Sequence, residues 1–376
     1  MKILIAAGLY PPEIGGPATY ALLLETELPK RGIEVTVLPF GTVRHHPKVI
    51  RHLLYAWKLW RAQRGHDIIY ALDSISVGVP ALVVSKLSRK PFLIRLGGDY
   101  AWEQGRMRYG LTTTLDEYHA NLHNRPLMVR VLAFIQSVVT RSAVRVIAPS
   151  AYLKSIIENW GVRPEMIEVI YSALYPLTVE KHREALRKEL GYTDPTIVSA
   201  GRLVPWKGFA VLIAVIAELK KLYPEISLII AGDGEERASL IETARVHGVT
   251  NHVRFVGSIS KEVLGATIKA ADVFVLNTAY EGLSHQLIEV MDLGTPVVTT
   301  PAGGNTELIT NEVHGLLVAF NDKEAMVAAI RRLLEYPETR NRIVQSARAR
   351  SKEFSEANML ERLEVVLRTI YDKRSA

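Results

Sequence analysis

Ten short runs of aliphatic and β-branched residues punctuate the chain, at 3–7, 35–39, 68–71, 92–96, 145–148, 196–200, 227–231, 253–256, 273–277 and 296–299. Stretches with helical periodicity, such as 18–31 and 209–222, lie between them. A strand that is apolar almost throughout has both faces covered, and alternating helices supply that cover, so the pattern predicts parallel sheets layered with helices. Periodicity is weakest at 171–176, between an apolar run at 168–170 and a charged helical stretch at 181–190. Five runs fall on either side of that gap, which predicts an α/β chain of two doubly wound domains, 1–174 and 175–355, each with its own core. A closing helix over about 356–376 carries Leu360, Leu363, Leu367 and Ile370 on one apolar face, which needs a partner surface.

Composition narrows the chemistry. With 48% hydrophobic and 23% charged residues the 376-residue chain is an ordinary folded protein, not a disordered or fibrous one. It has no cysteine, so thiol nucleophiles, disulfides and Cys-ligated metals are excluded. The longest apolar run, 209–217, is nine residues, about half of the roughly 18 that would suggest a membrane span. The apolar opening is cut short by Pro11-Pro12-Glu13 without a small-residue cleavage pattern, and is expected to be a buried first strand. Up to Tyr175 there are 21 basic against 13 acidic residues, and beyond it 25 against 26, so the net +7 belongs to the first half. No acid occurs between Glu34 and Asp67, where Arg44, Lys48, Arg51, Lys58, Arg61 and Arg64 cluster. An anionic partner is expected there.

In doubly wound sheets, ligands bind beyond the carboxyl ends of strands, and two domains whose strand ends face each other would share a cleft. The first strand is followed by Gly8-Leu9-Tyr10-Pro11-Pro12-Glu13-Ile14-Gly15-Gly16-Pro17 and then a helix. Gly15 and Gly16 allow close backbone approach, and the helix N-terminus suits a phosphate, although a plain strand–helix turn has the same composition. The sequence is not Gly-x-Gly-x-x-Gly, which weakens a nicotinamide or flavin reading. The second domain opens with a strand, then Gly201-Arg202-Leu203-Val204-Pro205-Trp206-Lys207-Gly208. Arg202 and Lys207 are either diphosphate-binding cations or solvated surface charges. Asp233, between Gly232 and Gly234, either touches a ligand or caps the helix behind it, the cap being favoured. The most specific segment is Glu281-Gly282-Leu283-Ser284-His285-Gln286-Leu287-Ile288-Glu289. It places one carboxylate in a strand-end loop and another about two turns into a helix starting near Ser284, with backbone N–H groups of Gly282, Leu283 and Ser284 beside them. Carboxylates accept from sugar hydroxyls and a helix N-terminus holds phosphate, so the combination suits a ligand carrying both.

Taken together, these motifs resemble the retaining glycosyltransferases of family 4, whose GT-B architecture has two Rossmann-like domains facing across a cleft. The resemblance runs nearly end to end: Tyr10-Pro11-Pro12 with Gly15-Gly16 as the first loop, Gly201-Arg202 with Lys207-Gly208 as the diphosphate turn, and Glu281 with Glu289 as the paired glutamates. It implies that Arg202 and Lys207 neutralise the diphosphate, Glu289 holds the ribose and Glu281 lies by the donor sugar. It also implies backbone contacts from Gly282, Leu283 and Ser284, a nucleobase near Val256 and Gly257, and a closing helix that crosses back onto the first domain. Relatives often carry a histidine after the fourth strand, where this chain reads Arg95-Leu96-Gly97-Gly98-Asp99. Asp99 is the candidate to take a sugar-facing or acceptor-facing role there, a turn or capping aspartate being the alternative. Where relatives often read Asn-Gly-Val in the linker, this chain has Ser172-Ala173-Leu174.

The expected activity is transfer of a sugar from a UDP- or GDP-sugar to a glycan or lipid-linked acceptor, as in polysaccharide biosynthesis. Charge on the departing diphosphate would be met by Arg202, Lys207 and helix N-termini. No cofactor or metal is then required, and the absence of an Asp-x-Asp sequence argues against the metal-dependent GT-A type. Retention by front-face substitution, with the donor phosphate deprotonating the acceptor, leaves Glu281 no need to be a nucleophile. The other enzymatic reading is a sugar-nucleotide hydrolase or epimerase on the same fold, and a non-catalytic sugar-nucleotide-binding protein is a third. Nucleic acid is disfavoured because no recognition motif accompanies the basic half. In 48–64, Val49, Leu53, Ala56, Trp57 and Trp60 fall on one helical face, and Lys48, Arg51, Lys58 and Arg61 toward the other. That suits either an anionic membrane surface or ordinary core packing with a solvated basic face. A cytoplasmic protein, peripheral on the inner membrane face, is the expectation. The polar segment 104–125, with Arg106, Arg108, Tyr109, Tyr118, His119 and His123, is expected to be an acceptor-side loop region, a plain insertion being the alternative.

Overall fold

The computed structural model describes residues 1–13, 15–120, 125–192 and 195–375; Ile14 of the first loop and His123 lie outside the described residues. The chain divides into two compact units, Met1–Ser172 with Ala357–Ala376, and Ala173–Glu356. The first break falls two residues before the one expected from the sequence.

The first unit is a six-stranded parallel sheet of order β2-β1-β3-β4-β5-β6. Its strands are β1 (Lys2–Ala7), β2 (Glu34–Pro39), β3 (Ile68–Ala71), β4 (Phe92–Arg95), β5 (Arg145–Ala148) and β6 (Ile167–Val169). Its helices are α1 (Gly16–Glu27), α2 (Lys48–Ala62), α3 (Gly78–Ser88), α4 (Tyr100–Arg108), α5 (Leu115–Ala120), α6 (Leu127–Arg141) and α7 (Ala151–Glu158). The central strands β1, β3 and β4 are buried at every position after Lys2, as their apolar sequence requires.

The second unit has the sheet order β12-β11-β10-β7-β8-β9, also parallel. It comprises β7 (Thr196–Ala200), β8 (Ser227–Ala231), β9 (Val253–Gly257), β10 (Val273–Leu276), β11 (Val297–Thr299) and the two-residue β12 (Leu316–Leu317), which is too short to stand out as a run in the sequence. Its helices are α8 (Arg183–Leu190), α9 (Phe209–Leu219), α10 (Arg237–Val246), α11 (Lys261–Ala270), α12 (His285–Leu293), α13 (Asn305–Leu308), α14 (Lys323–Glu335) and α15 (Pro337–Ser351). The α9 face of Phe209, Leu212, Ile213, Val215, Ile216 and Leu219 packs into a single core with both ends of the sheet.

The closing helix α16 (Glu356–Ser375) belongs to the first unit. Met359, Leu360, Leu363, Leu367 and Ile370 are buried. Glu364 pairs with Arg31 at 3.3 Å, and Arg362 and Arg374 donate to the carbonyls of Val169 and Asp67 at 3.3 and 2.8 Å. This supplies the partner surface that the apolar face demanded.

One expectation is corrected and one alternative is removed. Segment 104–125 is not an open loop: α4 and α5 occupy most of its described part. Trp102 donates its indole N–H to Thr113 at 3.1 Å, and a Cβ on Gly105 would stand 3.0 Å from Leu111 and 3.3 Å from Val129, so the polar helix lies tightly against its neighbours. Of the two readings of the apolar stripe of α2, core packing is the one that does not hold. Val49, Leu53 and Trp57 are 72%, 67% and 54% exposed, while Tyr55 and Leu59, from another face, are buried, with the Tyr55 hydroxyl donating to Leu38 at 2.6 Å. Among the described residues no helix is long and apolar enough to cross a membrane.

Candidate active site

In the second sheet the strand order reverses between β7 and β10, so the chains leaving these neighbours diverge and open a crevice at their carboxyl ends. The two loops at that switch point are the Gly201–Gly208 turn and the Asn277–Ser284 turn. They are tied together by side chains the sequence reading did not single out. Asn277 donates to the Gly208 carbonyl and to Asn321 Oδ1, both at 2.9 Å, and Thr278 donates to Trp206 at 3.2 Å. Gly208 has φ +54°, and a Cβ there would fall 2.2 Å from Asn277 Nδ2, so only glycine fits. The only hint of these ties in the sequence is that Asn277 and Thr278 sit just past a strand.

This bracing brings Lys207 and Glu281, 74 positions apart, into an ion pair in which both side chains are 16% exposed. Lys207 Nζ lies above Gly201, where a Cβ would be 3.9 Å away. Arg202 is exposed, its guanidinium 5.8 Å from the Trp206 ring, and no carboxylate stands within 4.0 Å of it among the described residues. The site thus holds one paired cation and one uncommitted one.

The loops after β7, β8 and β9 interlock. Gly201 N–H donates to Ala231 at 2.9 Å, Leu203 N–H to Asp233 at 3.0 Å, and Gly232 N–H to Gly257 at 2.8 Å. A Cβ on Gly232, which has φ +134°, would be 1.9 Å from the Gly201 carbonyl oxygen, and one on Gly234 would be 2.4 Å from that of Leu203. Asp233 is exposed and accepts from Gly234 N–H at 2.8 Å, closing its own turn; the helix behind is entered through Glu236, so the favoured capping role does not hold. Val256 is exposed at the end of β9, beside Gly257 with φ +68°.

Ser284 caps α12, accepting from Leu287 N–H at 3.4 Å, and Gly282, Leu283 and Ser284 are buried. The helix begins at His285, so Glu289 stands in its second turn, slightly nearer the strand ends than expected. Burial pushes the Glu289 carboxyl up to about 7, with Lys261 pulling the other way. Lys261 also lies 5.6 Å over the Tyr175 ring, which stacks on His285 at 5.9 Å.

The first unit has its own switch point between β1 and β3. Gly8 leaves β1 there so close to Asp73 that a Cβ would be 2.1 Å from its carboxylate. Asp73, which follows β3 and was not anticipated, accepts from the N–H groups of Ile75 and Val77 at 3.0 Å, and burial raises its pKa. Gly15, with φ +149°, is the N-cap of α1, and Gly16 and Pro17 are its first residues. Asp99 is buried and caps α4 through Trp102 N–H at 3.0 Å. Its Oδ2 meets His119 Nε2 at 2.9 Å, and Gln136 donates to the capping oxygen, Oδ1, at 3.1 Å. The capping alternative therefore describes Asp99, and the group it holds at the strand ends is an imidazole from α5. The sequence gap of 20 residues hides this pairing.

Residues 14–174 match the family model for Glycosyltransferase Family 4, and residues 181–350 match that for Glycosyl transferases group 1. Glycogen synthase of Mycobacterium tuberculosis is 27% identical over 387 aligned positions, covering 93% of this chain and 90% of its own. Among solved structures, HepE of Anabaena in complex with UDP-glucose superposes with a TM-score of 0.76 at 23% identity, over 98% of this chain and 100% of that one. Sucrose-phosphate synthase of Thermosynechococcus elongatus gives 0.79 at 20% identity, over 99% of both. With a model matched in each half and two doubly wound sheets of the GT-B kind, the chain belongs to glycosyltransferase family 4.

Proposed function

We propose that the protein transfers a sugar from a UDP- or GDP-sugar to a glycan or lipid-linked acceptor, with retention of configuration and without a divalent metal. The observation that carries this reading is the Lys207–Glu281 pair at the switch point, with Arg202 uncommitted beside it and Glu289 in the helix that follows. A nucleoside diphosphate brings two charged phosphates to this point. Arg202 takes one through its planar fork, and Lys207 turns from Glu281 to the other as a point charge. Glu281, released, then accepts from a donor-sugar hydroxyl, and Glu289 accepts from the ribose. As the bond to the sugar breaks, charge grows on the leaving oxygen, and the two cations stabilise it more than they stabilise the ground state. The donor phosphate takes the acceptor proton on the same face, so no protein nucleophile is consumed. The solved complex of the similarly folded HepE with UDP-glucose is consistent with this class of donor.

The first domain is the acceptor side in this reading. The exposed Val49, Leu53 and Trp57 of α2, with Lys48, Arg51, Lys58 and Arg61 on the same helix, suit the cytoplasmic face of an anionic membrane that holds a lipid-linked acceptor.

Titration with UDP, GDP, ADP and their common sugar conjugates, followed by thermal shift and calorimetry, tests the donor site. Selective binding of one nucleotide that is lost in Glu289→Ala and indifferent to EDTA is expected. If none binds, or if binding needs a metal, the proposal fails in its donor or its metal-free part respectively.

A further inference from the structure

Along α6 of the first unit runs a cavity of about 230 Å3, lined among others by Tyr118, His119, Arg125, Phe134, Arg141 and Trp160. Its charge is one-sided. Arg125 and Arg141 have no carboxylate within 4.0 Å among the described residues. The one acid in the lining, Asp99, is already committed to His119, Trp102 N–H and Gln136.

The Arg125 guanidinium carbon lies 3.5 Å from the centre of the Tyr118 ring and the group donates to the Tyr118 carbonyl, two contacts that hold it in place. Arg141 spends its Nε on the Ser137 carbonyl at 3.2 Å, one helical turn back, which leaves its two terminal nitrogens for a ligand. Two polar atoms here are buried without a hydrogen-bond partner among the described residues: Arg125 Nε and the Tyr118 hydroxyl. Tyr118 as a whole is 2% exposed. Burial raises its pKa, with the Asp99 charge adding to the effect, so the hydroxyl keeps its proton and remains a donor. Desolvated donors of this kind cost free energy that an incoming oxygen recovers. Trp160 and Phe134 add aromatic walls of the sort that pack on the C–H faces of a pyranose.

We propose that this groove binds the anionic substituent, phosphate or carboxylate, of a sugar acceptor, with Arg125, Arg141 and the Tyr118 hydroxyl as its donors. The inference rests on the transferase reading above, since it gives that enzyme an acidic acceptor.

Glucose 6-phosphate, glucuronate, inorganic phosphate and glucose would be titrated calorimetrically into the full chain and into Arg141→Ala and Tyr118→Phe, with UDP titrated into the same three proteins. We expect one of the two charged sugars to bind at least tenfold more tightly than glucose or inorganic phosphate, the tighter one telling phosphate from carboxylate. That affinity should fall at least fivefold in each variant while UDP affinity stays within twofold and the melting temperature does not drop. Arg141 is exposed, so its variant keeps the test sound if Tyr118→Phe is poorly folded. Equal binding of glucose, equal binding of inorganic phosphate, variants that bind like wild type, or no binding by a protein that still takes UDP would each overturn the proposal. Variant-sensitive binding of a charged sugar without any UDP binding would instead keep the anion site and sink the donor reading.

Discussion

The two domains share one sheet design and spend their strand-end loops differently. In the second, three successive loops are locked backbone to backbone, Gly201 on Ala231, Leu203 on Asp233 and Gly232 on Gly257, with no room for a single extra carbon at Gly232 or Gly234. In the first, the strand-end chemistry is carried by side chains: Asp99 gathers His119, Gln136 and the start of α4, and Asp73 gathers its own loop. Outside that, α2 leaves Val49, Leu53 and Trp57 in solvent. A backbone lattice suits the proposed donor, because it would hold fixed dipoles in place for a diphosphate. Side-chain clusters, by contrast, are replaceable one residue at a time.

Replacing Arg202 and Lys207 together by alanine is expected to lower kcat for sugar transfer by about 10²–10³ or more, read from product formation with the folded fraction checked by circular dichroism. A loss under tenfold would mean that the rigid half is not where leaving-group charge is met.

Glu289→Gln probes the same half by pH. With its pKa held near 7 in the native state, Glu289 keeps a proton that the unfolded chain has already released between about pH 4.5 and 7. Stability therefore falls as pH rises through that window, by up to roughly 3 kcal/mol once above it. The glutamine variant should melt higher than wild type at pH 8, melt alike at pH 4.5, and bind the donor nucleotide less tightly. Identical melting curves at pH 8 would show that the carboxyl is not desolvated.

A pair of glycine substitutions sharpens the contrast in backbone tolerance. Gly232→Ala drives a carbon into the Gly201 carbonyl and should cost roughly 2–4 kcal/mol, as overpacking and positive φ combine. Gly15→Ala meets nothing closer than 3.6 Å and should cost about 1–2 kcal/mol, from its positive φ alone. Denaturant midpoints for the two variants measure the difference, and equal costs would remove the distinction between the loops. The smallest stability effect is expected on α2, where Leu53→Ser should change stability by less than about 0.5 kcal/mol because the side chain is solvated. If the helix meets a membrane, the same change should weaken sedimentation with phosphatidylglycerol vesicles, while phosphatidylcholine vesicles bind neither protein.

Sheet strands were legible because a doubly covered strand is apolar at every position, and the Glu281–Glu289 segment because it is continuous in sequence. What depends on two distant segments was not. Nothing local announces that Lys207 meets Glu281, or that His119 comes to Asp99. Periodicity found the apolar stripe of α2 without its partner, since it reports a face and not what the face touches; Tyr55 and Leu59 make the inward contact instead. Segment 104–125 looked like a loop because it is polar, yet Asp99 caps a helix there and Trp102 packs beneath it.

The position of α16 has a consequence for how the protein is made. The first sheet emerges from the ribosome early, but the helix that buries its own Leu363 and Leu367 against that domain and answers Arg31 with Glu364 is translated only after the whole of residues 173–356. Until then the earlier domain presents an uncovered apolar strip, while the later one is complete in itself. The order of synthesis and the order of completion are reversed, and the interval between them is when the nascent chain most needs a chaperone.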